Sequence, residues 1–370
     1  VLDLVRGCVQ RFLEARPLPG VRTDRPVYLD VTNRRIDGSC YLFFSRDGRH
    51  PVLVAKAART ARGKAIFETE HRTLERLQEL GLNDPAPTTP APLGLWREGD
   101  ALIALQSALA GELMKNVPGA RLFSPAALER TLGGVLAWWR KLQRLAGTHR
   151  VKLSDEVYAA RVLEPVERFG RRYRLRDDEY AFLERRFRAE RRLAGAELPF
   201  MVRHGDFCTA NVVLQPHGIG VFDWELALEH DMPLFDLFFF FSSARYPYSG
   251  RGGESAHSAS FAEVYWGDGY FSREMRRSLD RVCGECAIGR DLLDDLFVLS
   301  LVQTGNMKYE GLLASHGLPE PALPVSEESK AARWAEFDGP DEDTPFAHVR
   351  DGVFENLRQV VLRGPPGLGT

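Results

Sequence analysis

The sequence predicts an α+β chain, with a β-rich amino-terminal part and a larger, mainly helical remainder. Two observations carry this prediction. Short runs rich in β-formers, PVYLDVT, CYLFF and PVLVAKAA, cluster before residue 60 and are joined by RRIDGS and SRDGRH, whose Asp-Gly pairs mark turns. After Gly111 the apolar residues recur at helical spacing within long charged segments. The 370 residues exceed what one simple core holds, so two lobes are expected, 1–109 and 110–370, with a hinge near Leu109 to Leu113. Ligand clefts favour such junctions.

Each element has a local reason. VLDLVRGCVQRFLEA repeats its apolar residues at helical spacing and opens the chain as a helix. The three β runs follow as an antiparallel segment. FETEHRTLERLQELG reads as the next helix, with Phe67, Leu74, Leu77 and Leu80 near one face and Gly81 as its stop. NDPAPTTPAPLG (83–94) is too rich in proline to be helical and is expected to be a connector. ALIALQS is a strand. SPAALERTLGGVLAWWRKLQRLAG is a long helix with Ser124 at its cap and Pro125 at its first position. Residues 155–194 read as charged helix. LPFMVRHGD, NVVLQ and IGVFDWE supply short strands, PLFDLFFFF (233–241) a buried helix start, and helices continue to about 315. Beyond that, loops and one helix at 348–362 are expected.

Composition narrows the function. A net charge of −2 gives no global field toward nucleic acid or an anionic membrane. The most apolar run is too short to cross a bilayer and contains Asp236. Five scattered cysteines (8, 40, 208, 283 and 286) suit a reduced compartment, and a cytoplasmic location is the expectation. Cys283 and Cys286 stand at helical i, i+3 spacing. Zinc wants four ligands and no second pair is in sight, so they are read as small buried residues. The run RFGRRYRLRDDEYAFLERRFRAERR (168–192) interleaves acids with its arginines and is read as a solvated helical face.

The chemistry concentrates in RHGDFCTANVVLQPHGIGVFDWE (203–225). Asp206 is followed after four residues by Asn211, and twelve residues later comes Asp223. The segment between is strand, turn, strand, so a hairpin returns the Asn211 end to Asp223. Two oxygen ligands at one hairpin mouth suit Mg²⁺, which takes few protein ligands and completes its octahedron with phosphate and water. Asp206 lies on the loop just before, positioned to face a substrate hydroxyl. Metal, carboxylate and little covalent chemistry are the parts a phosphoryl transferase needs.

These motifs resemble those of the aminoglycoside phosphotransferase and choline kinase superfamily, which shares the bilobal protein-kinase-like fold. His-Gly-Asp-x₄-Asn is similar to the family's catalytic loop, Asp-Trp-Glu to its metal segment, and DMPLFDL (231–237) to its later Gly-Asp-Pro-x-x-Asp-Leu, with Glu229-His230 where a glycine often stands. The resemblance implies a role for each residue. Asp206 orients and deprotonates the acceptor hydroxyl, and Asn211 and Asp223 bind Mg²⁺. Asp236 braces the catalytic loop by hydrogen bonds, and His204 holds it by packing. It also implies ATP as the donor and a small-molecule hydroxyl as the acceptor, while the charge and the short apolar run lead us to expect neither nucleic acid nor membrane as a partner.

The amino-terminal half can be tested against this resemblance. A phosphate-binding lysine is wanted on a strand, with a glutamate on the next helix. Lys56 in PVLVAKAA qualifies, and the chain holds only seven lysines against 42 arginines. Glu70 is the partner expected, with Glu68 and Glu75 as rivals. The Gly-x-Gly-x-x-Gly of protein kinases is missing, so backbone N–H groups of 37–40 with the Ser39 hydroxyl are expected to serve the phosphates. The backbone from Gln106 to Leu109 is expected to pair with adenine. LQRL (142–145) departs from the Leu-His of many relatives. Glu225 would hold a second metal or a substrate amine, or be structural. Glu229 and Asp231 add acidity suited to an amine, and the aromatics at 238–241, 246, 248, 265, 266 and 270 are mostly core, with a few available to box a cation or a sugar.

The reading is therefore an ATP-dependent small-molecule kinase. Two other classes stand beside it: a catalytically silent nucleotide-binding scaffold of the same fold, and a hydrolase using Asp206 and Asp223 as a carboxylate pair. The second leaves Lys56, Glu70 and Asn211 without a task.

Overall fold

The computed structural model describes residues 1–18, 21, 28–30, 38–45, 50–173, 175–244, 254–315 and 356–368. Helix α1 (Leu2–Ala15) precedes strands β1 (Tyr28–Asp30), β2 (Gly38–Phe44) and β3 (Pro51–Ala58). Helix α2 (Ala61–Glu79), β4 (Pro92–Glu98), β5 (Ala101–Ser107) and β6 (Glu112–Leu113) follow. Then come α3 (Gly119–Phe123), α4 (Pro125–Ala146), β7 (His149–Lys152), α5 (Asp155–Tyr158), α6 (Glu164–Arg172) and α7 (Asp177–Leu183). Strands β8 (Glu197–Arg203), β9 (Val212–Gln215), β10 (Gly218–Val221) and β11 (Leu228–Asp231) lead into α8 (Phe235–Ala244), α9 (Glu254–Trp266), α10 (Tyr270–Cys286) and α11 (Leu293–Ser315).

The chain forms two compact units that are discontinuous in sequence. The first is Val1–Pro118, Thr131–Gly147 and Val202–Glu229; the second is Gly119–Arg130, Thr148–Met201 and His230–Thr370. A single break near residue 109 therefore does not follow the compact units, because the hairpin after the His-Gly-Asp motif packs with the amino-terminal part. The α+β class stands as read.

In the first unit, five antiparallel strands run in the order β1-β2-β3-β5-β4. The pleat separates two faces. Tyr41, Phe43, Leu53, Ala55, Ala57, Ile103 and Leu105 point to one side and bury Val5, Cys8, Val9, Phe12 and Leu13 of α1. Each such large side chain contributes roughly 2 kcal/mol by leaving water. Ala58, Leu102 and Ala104 point to the other side, against Phe67 of α2. Gly38 lies under that helix: a Cβ there would stand 2.7 Å from the Ala57 carbonyl and from the Phe67 ring.

Two element boundaries depart from the sequence reading. Helix α2 starts six residues earlier than Phe67, because Thr60 caps it by accepting from the Gly63 amide at 3.0 Å. The proline-rich connector ends in strand β4, which the reading missed. Proline is tolerated there because Pro92 opens a strand at the edge of the sheet. The expected helix at 348–362 falls partly outside the described residues, and 356–363 is helical.

The second unit is mainly helical. Helices α5 and α6 are joined by a π-helical stretch, Ala159–Leu163, and α7 runs into another, Glu184–Ala189. The charged face expected over 168–192 is present, with Arg168 on Glu164 and Arg188 on Glu167 and Glu184. Arg172 and Glu179 are exceptions, both buried, with Arg172 bonded to Asn306 and Glu310 and Glu179 accepting from Arg358. Helix α8 is buried along Phe235–Phe238 and at Phe240 and Phe241, and Tyr265 is in the same core, so these aromatics are not a ligand box. Tyr246 and Tyr248 lie outside the described residues. Cys283 is buried in the last turn of α10, and Cys286 is partly buried.

Candidate active site

Strand β3 delivers Lys56 to the α2 side of the sheet, where the ammonium is buried. Its Nζ donates to Glu70 Oε1 at 2.9 Å and Oε2 at 2.8 Å. Glu70 is 2 % exposed and also accepts from the Trp224 amide at 3.3 Å. Its two rivals are elsewhere: Glu68 is paired with Arg97, and the exposed Glu75 faces His71 at 3.5 Å. The same Lys56 Nζ donates to Asp223 Oδ1 at 2.7 Å. Burial works against this ammonium, but the charges of Glu70 and Asp223 outweigh it and hold Lys56 above its ordinary pKa.

Asp223 follows the β9–β10 hairpin. Val212 pairs with Val221, and the Phe222 amide donates to the Asn211 carbonyl at 3.1 Å, so the Asn211 and Asp223 ends are neighbours. Asp223 has φ +70°, a left-handed conformation that is uncommon for a residue with a side chain and is found preferentially at functional sites. Its carboxyl is pushed up by burial, yet the Lys56 charge and hydrogen bond prevail and keep it below the ordinary carboxylate value.

The His-Gly-Asp loop is tied to the same place. The Asp206 amide donates to His204 Nδ1 at 3.2 Å, so the ring proton lies on Nε2, which donates to the Phe222 carbonyl at 3.0 Å. His204 therefore fixes the loop by hydrogen bonds to both motifs and not by packing alone, although it also lies against Trp224 with ring centroids 4.6 Å apart. Asn211 Nδ2 donates to Asp206 Oδ2 at 2.8 Å and to the Asp206 carbonyl at 2.9 Å. With its nitrogen so engaged, the Asn211 amide turns its oxygen away from Asp206. Gly205 lets the loop close: its φ is +90°, and a Cβ there would lie 2.5 Å from the Leu226 carbonyl.

Glu225 completes the set. Its Oε2 is buried and lacks a hydrogen-bond partner. Burial, and then the nearby Asp223 charge, push its carboxyl up to about 7. A buried acceptor without a donor beside a second carboxylate is a setting that suits a cation. No cluster of three or more His, Cys, Asp or Glu side chains suited to a metal occurs among the described residues.

Other expected residues fall differently. Cys40, not Ser39, lies directly across from Lys56 in the β2–β3 register. Ser39 points with Tyr41 and Phe43 to the α1 side, so its hydroxyl does not join Lys56, because side chains alternate along a strand. Gly38 and Ser39 are paired strand residues, opposite Ala58 and Ala57. Gln106 is buried on the Lys56 side of β5. The amides of Ser107 and Ala108 already donate to Ala91 and Val52 carbonyls, at 2.9 and 3.0 Å. The Leu109 side chain reaches Gly220, whose added Cβ would meet it at 2.9 Å. Asp231 is 1 % exposed and faces Arg161 at 3.9 Å in the second unit, so it is not an open substrate carboxylate. Glu229 is exposed. Asp236 is buried in the first turn of α8, in the second unit.

Sequence reasoning missed Trp224. Its amide contacts Glu70, and its indole donates to the Val221 carbonyl at 3.1 Å. A backbone amide leaves no residue-type signal.

The model of the phosphotransferase enzyme family matches residues 37–271, and the chain belongs to that family. No curated protein matches it. Among solved structures it is similar to an aminoglycoside phosphotransferase, APH(3'')-Id, from Streptomyces rimosus ATCC10970, at 18% identity over 82% of this chain and 98% of that one, with a TM-score of 0.44. A choline/ethanolamine kinase family protein from Mesorhizobium loti is 14% identical over 97% of this chain and 99% of that one, with a TM-score of 0.42. The amicoumacin kinase hAmiN is 13% identical over 97% and 94%, with a TM-score of 0.46.

Proposed function

We propose that this phosphotransferase is an ATP-dependent kinase that transfers the γ-phosphoryl group to a hydroxyl of a small molecule. The observation that carries the proposal is the position of Lys56, with one ammonium bonded to both Glu70 and Asp223. Glu70 fixes the ammonium, which then offers a compact charge to the α- and β-phosphates. Asn211 and Asp223 would hold Mg²⁺, and the orphaned Glu225 oxygen lies close enough to Asp223 to feel its charge. When bound, the ion supplies neutralisation of the triphosphate.

Asp206 takes the acceptor proton. Asn211 occupies one of its oxygens, which leaves the other for the hydroxyl. The carboxylate aims that hydroxyl in line with the γ-phosphorus and accepts its proton as the bond to phosphorus forms and ADP leaves. Because the transition state is loose, placement and charge supply most of the acceleration. Residues 1–109 serve the nucleotide in this proposal, and residues 110–370 supply the catalytic loop and the metal ligands. With the Ser107 and Ala108 amides committed, adenine pairs nearer Leu109. Acidic Glu225 and Glu229 suit an acceptor bearing an amine.

A thermal-shift assay with MgATP tests the class, because only a nucleotide-binding chain gains stability from it. A panel of aminoglycosides, macrolides, sugars, amino alcohols and hydroxy amino acids, read by ADP release and phosphorus NMR, then separates a kinase from a silent scaffold and identifies the acceptor.

A further inference from the structure

Strand β8 carries the chain into the His-Gly-Asp loop, and its last residues run beyond the strand beside it. In the β7–β8 register His149 pairs with Phe200, and β7 reaches no further along β8. Helix α4 ends at Ala146, and Gly147, at φ +77°, turns the chain before β7 starts. The Leu153 amide donates to the Ala196 carbonyl at 2.8 Å, which sets the alternation of the ladder. By the two-residue period, the N–H and C=O of Leu198, Phe200 and Val202 all point toward β7. Val202 thus presents a donor and an acceptor where no strand remains to meet them.

Gln143 meets both. Its Nε2 donates to the Val202 carbonyl at 2.8 Å, and its Oε1 accepts from the Val202 amide at 3.1 Å. The side chain is 4 % exposed. A carboxamide has the donor and acceptor of a peptide group, so one side chain of α4 stands in for the missing strand residue. Two residues later in β8 and its loop comes His204, which is bonded to Asp206 and to the segment before Asp223.

We propose that Gln143 is a positioning residue for phosphoryl transfer: its carboxamide clamps Val202 and thereby fixes the base of the catalytic loop that carries Asp206. The proposal rests on the kinase reading. Gln143 sits in the LQRL segment (142–145) of α4, and its carboxamide supplies a peptide-like clamp.

Two variants test it. Gln143→Leu keeps the volume and removes both bonds. Gln143→Glu restores a donor and acceptor only when its carboxyl is protonated. For Gln143→Leu the expected result is a kcat for ADP release lowered roughly ten- to a hundredfold, with the KM for MgATP within about twofold, since a misplacement on the order of 1 Å costs that much. Deuterium exchange over the 202–211 peptide is expected to quicken in the same variant. Gln143→Glu is expected to gain relative activity toward acid pH, a limb wild type lacks. Wild-type kcat and wild-type exchange over 202–211 in Gln143→Leu would overturn the proposal. If Gln143→Leu does not fold, a Gln143→Glu pH profile superimposable on wild type would overturn it equally. If wild type releases no ADP from MgATP with any acceptor, the kinase reading has failed. In that case the exchange measurement still decides the clamp: faster exchange upholds it and unchanged exchange removes it.

Discussion

Lys56 Nζ lies 2.7 Å from Asp223 Oδ1, joining the central strand of the sheet to the end of a hairpin 167 residues later. With Glu70 on its other side, the ammonium neutralises carboxylates that would otherwise be buried alone. Lys56→Met is expected to cost about 3 kcal/mol, because removing one partner leaves charge uncompensated. Adding Glu70→Gln to that variant should return part of the loss. Urea unfolding of the single and double variants checks this.

Glu225 gives a pH signature. Its folded carboxyl, pushed up to about 7 by burial and by Asp223, is protonated more readily than in the unfolded chain. Stability from this group is present below the unfolded value of about 4.5 and declines as pH rises toward 7. In metal-free protein, Glu225→Gln should remove that slope and raise stability at pH 8 by on the order of 3 kcal/mol. Asp223 runs the opposite way. Its folded carboxyl is depressed, so its contribution holds above the ordinary carboxylate range and is lost as the solution is acidified through the folded value. Unfolding midpoints of wild type, Glu225→Gln and Asp223→Asn between pH 3 and pH 8 separate the two.

Gly205→Ala is expected to destabilise by about 2 kcal/mol or more, since an added Cβ meets the Leu226 carbonyl at 2.5 Å and the backbone is left-handed there. The loop must shift to accommodate it, so turnover should fall more than nucleotide affinity. Thermal unfolding and steady-state kinetics on one preparation measure both.

Much of this was legible because it is periodic or spaced. The run of β-formers in PVLVAKAA placed Lys56 in a strand, and the Asn211–Asp223 interval foretold a hairpin. What was not legible depends on register and on backbone groups. Ser39 or Cys40 could be chosen beside Lys56 only once the β2–β3 pairing was known, because a shift of one residue exchanges the two faces. Glu70 was the partner expected, and its burial and its bonds to Lys56 separate it from Glu68 and Glu75. Asp231 looked like an open acid in a charged run, yet it is buried. Strand β4 was hidden by prolines that an edge strand tolerates. The clamp of Gln143 on Val202 is a long-range backbone contact, to which a glutamine in a helix gives no clue.

The most direct test of the cradle formed by Lys56, Glu70, Asp223 and the Asp206 loop is calorimetric titration of MgATP, with turnover, on wild type, Asp206→Ala and Asp223→Ala. Asp206→Ala is expected to bind MgATP as wild type does and to turn over nothing, while Asp223→Ala loses both binding and turnover. Full activity in Asp206→Ala, or MgATP affinity untouched in Asp223→Ala, would contradict it.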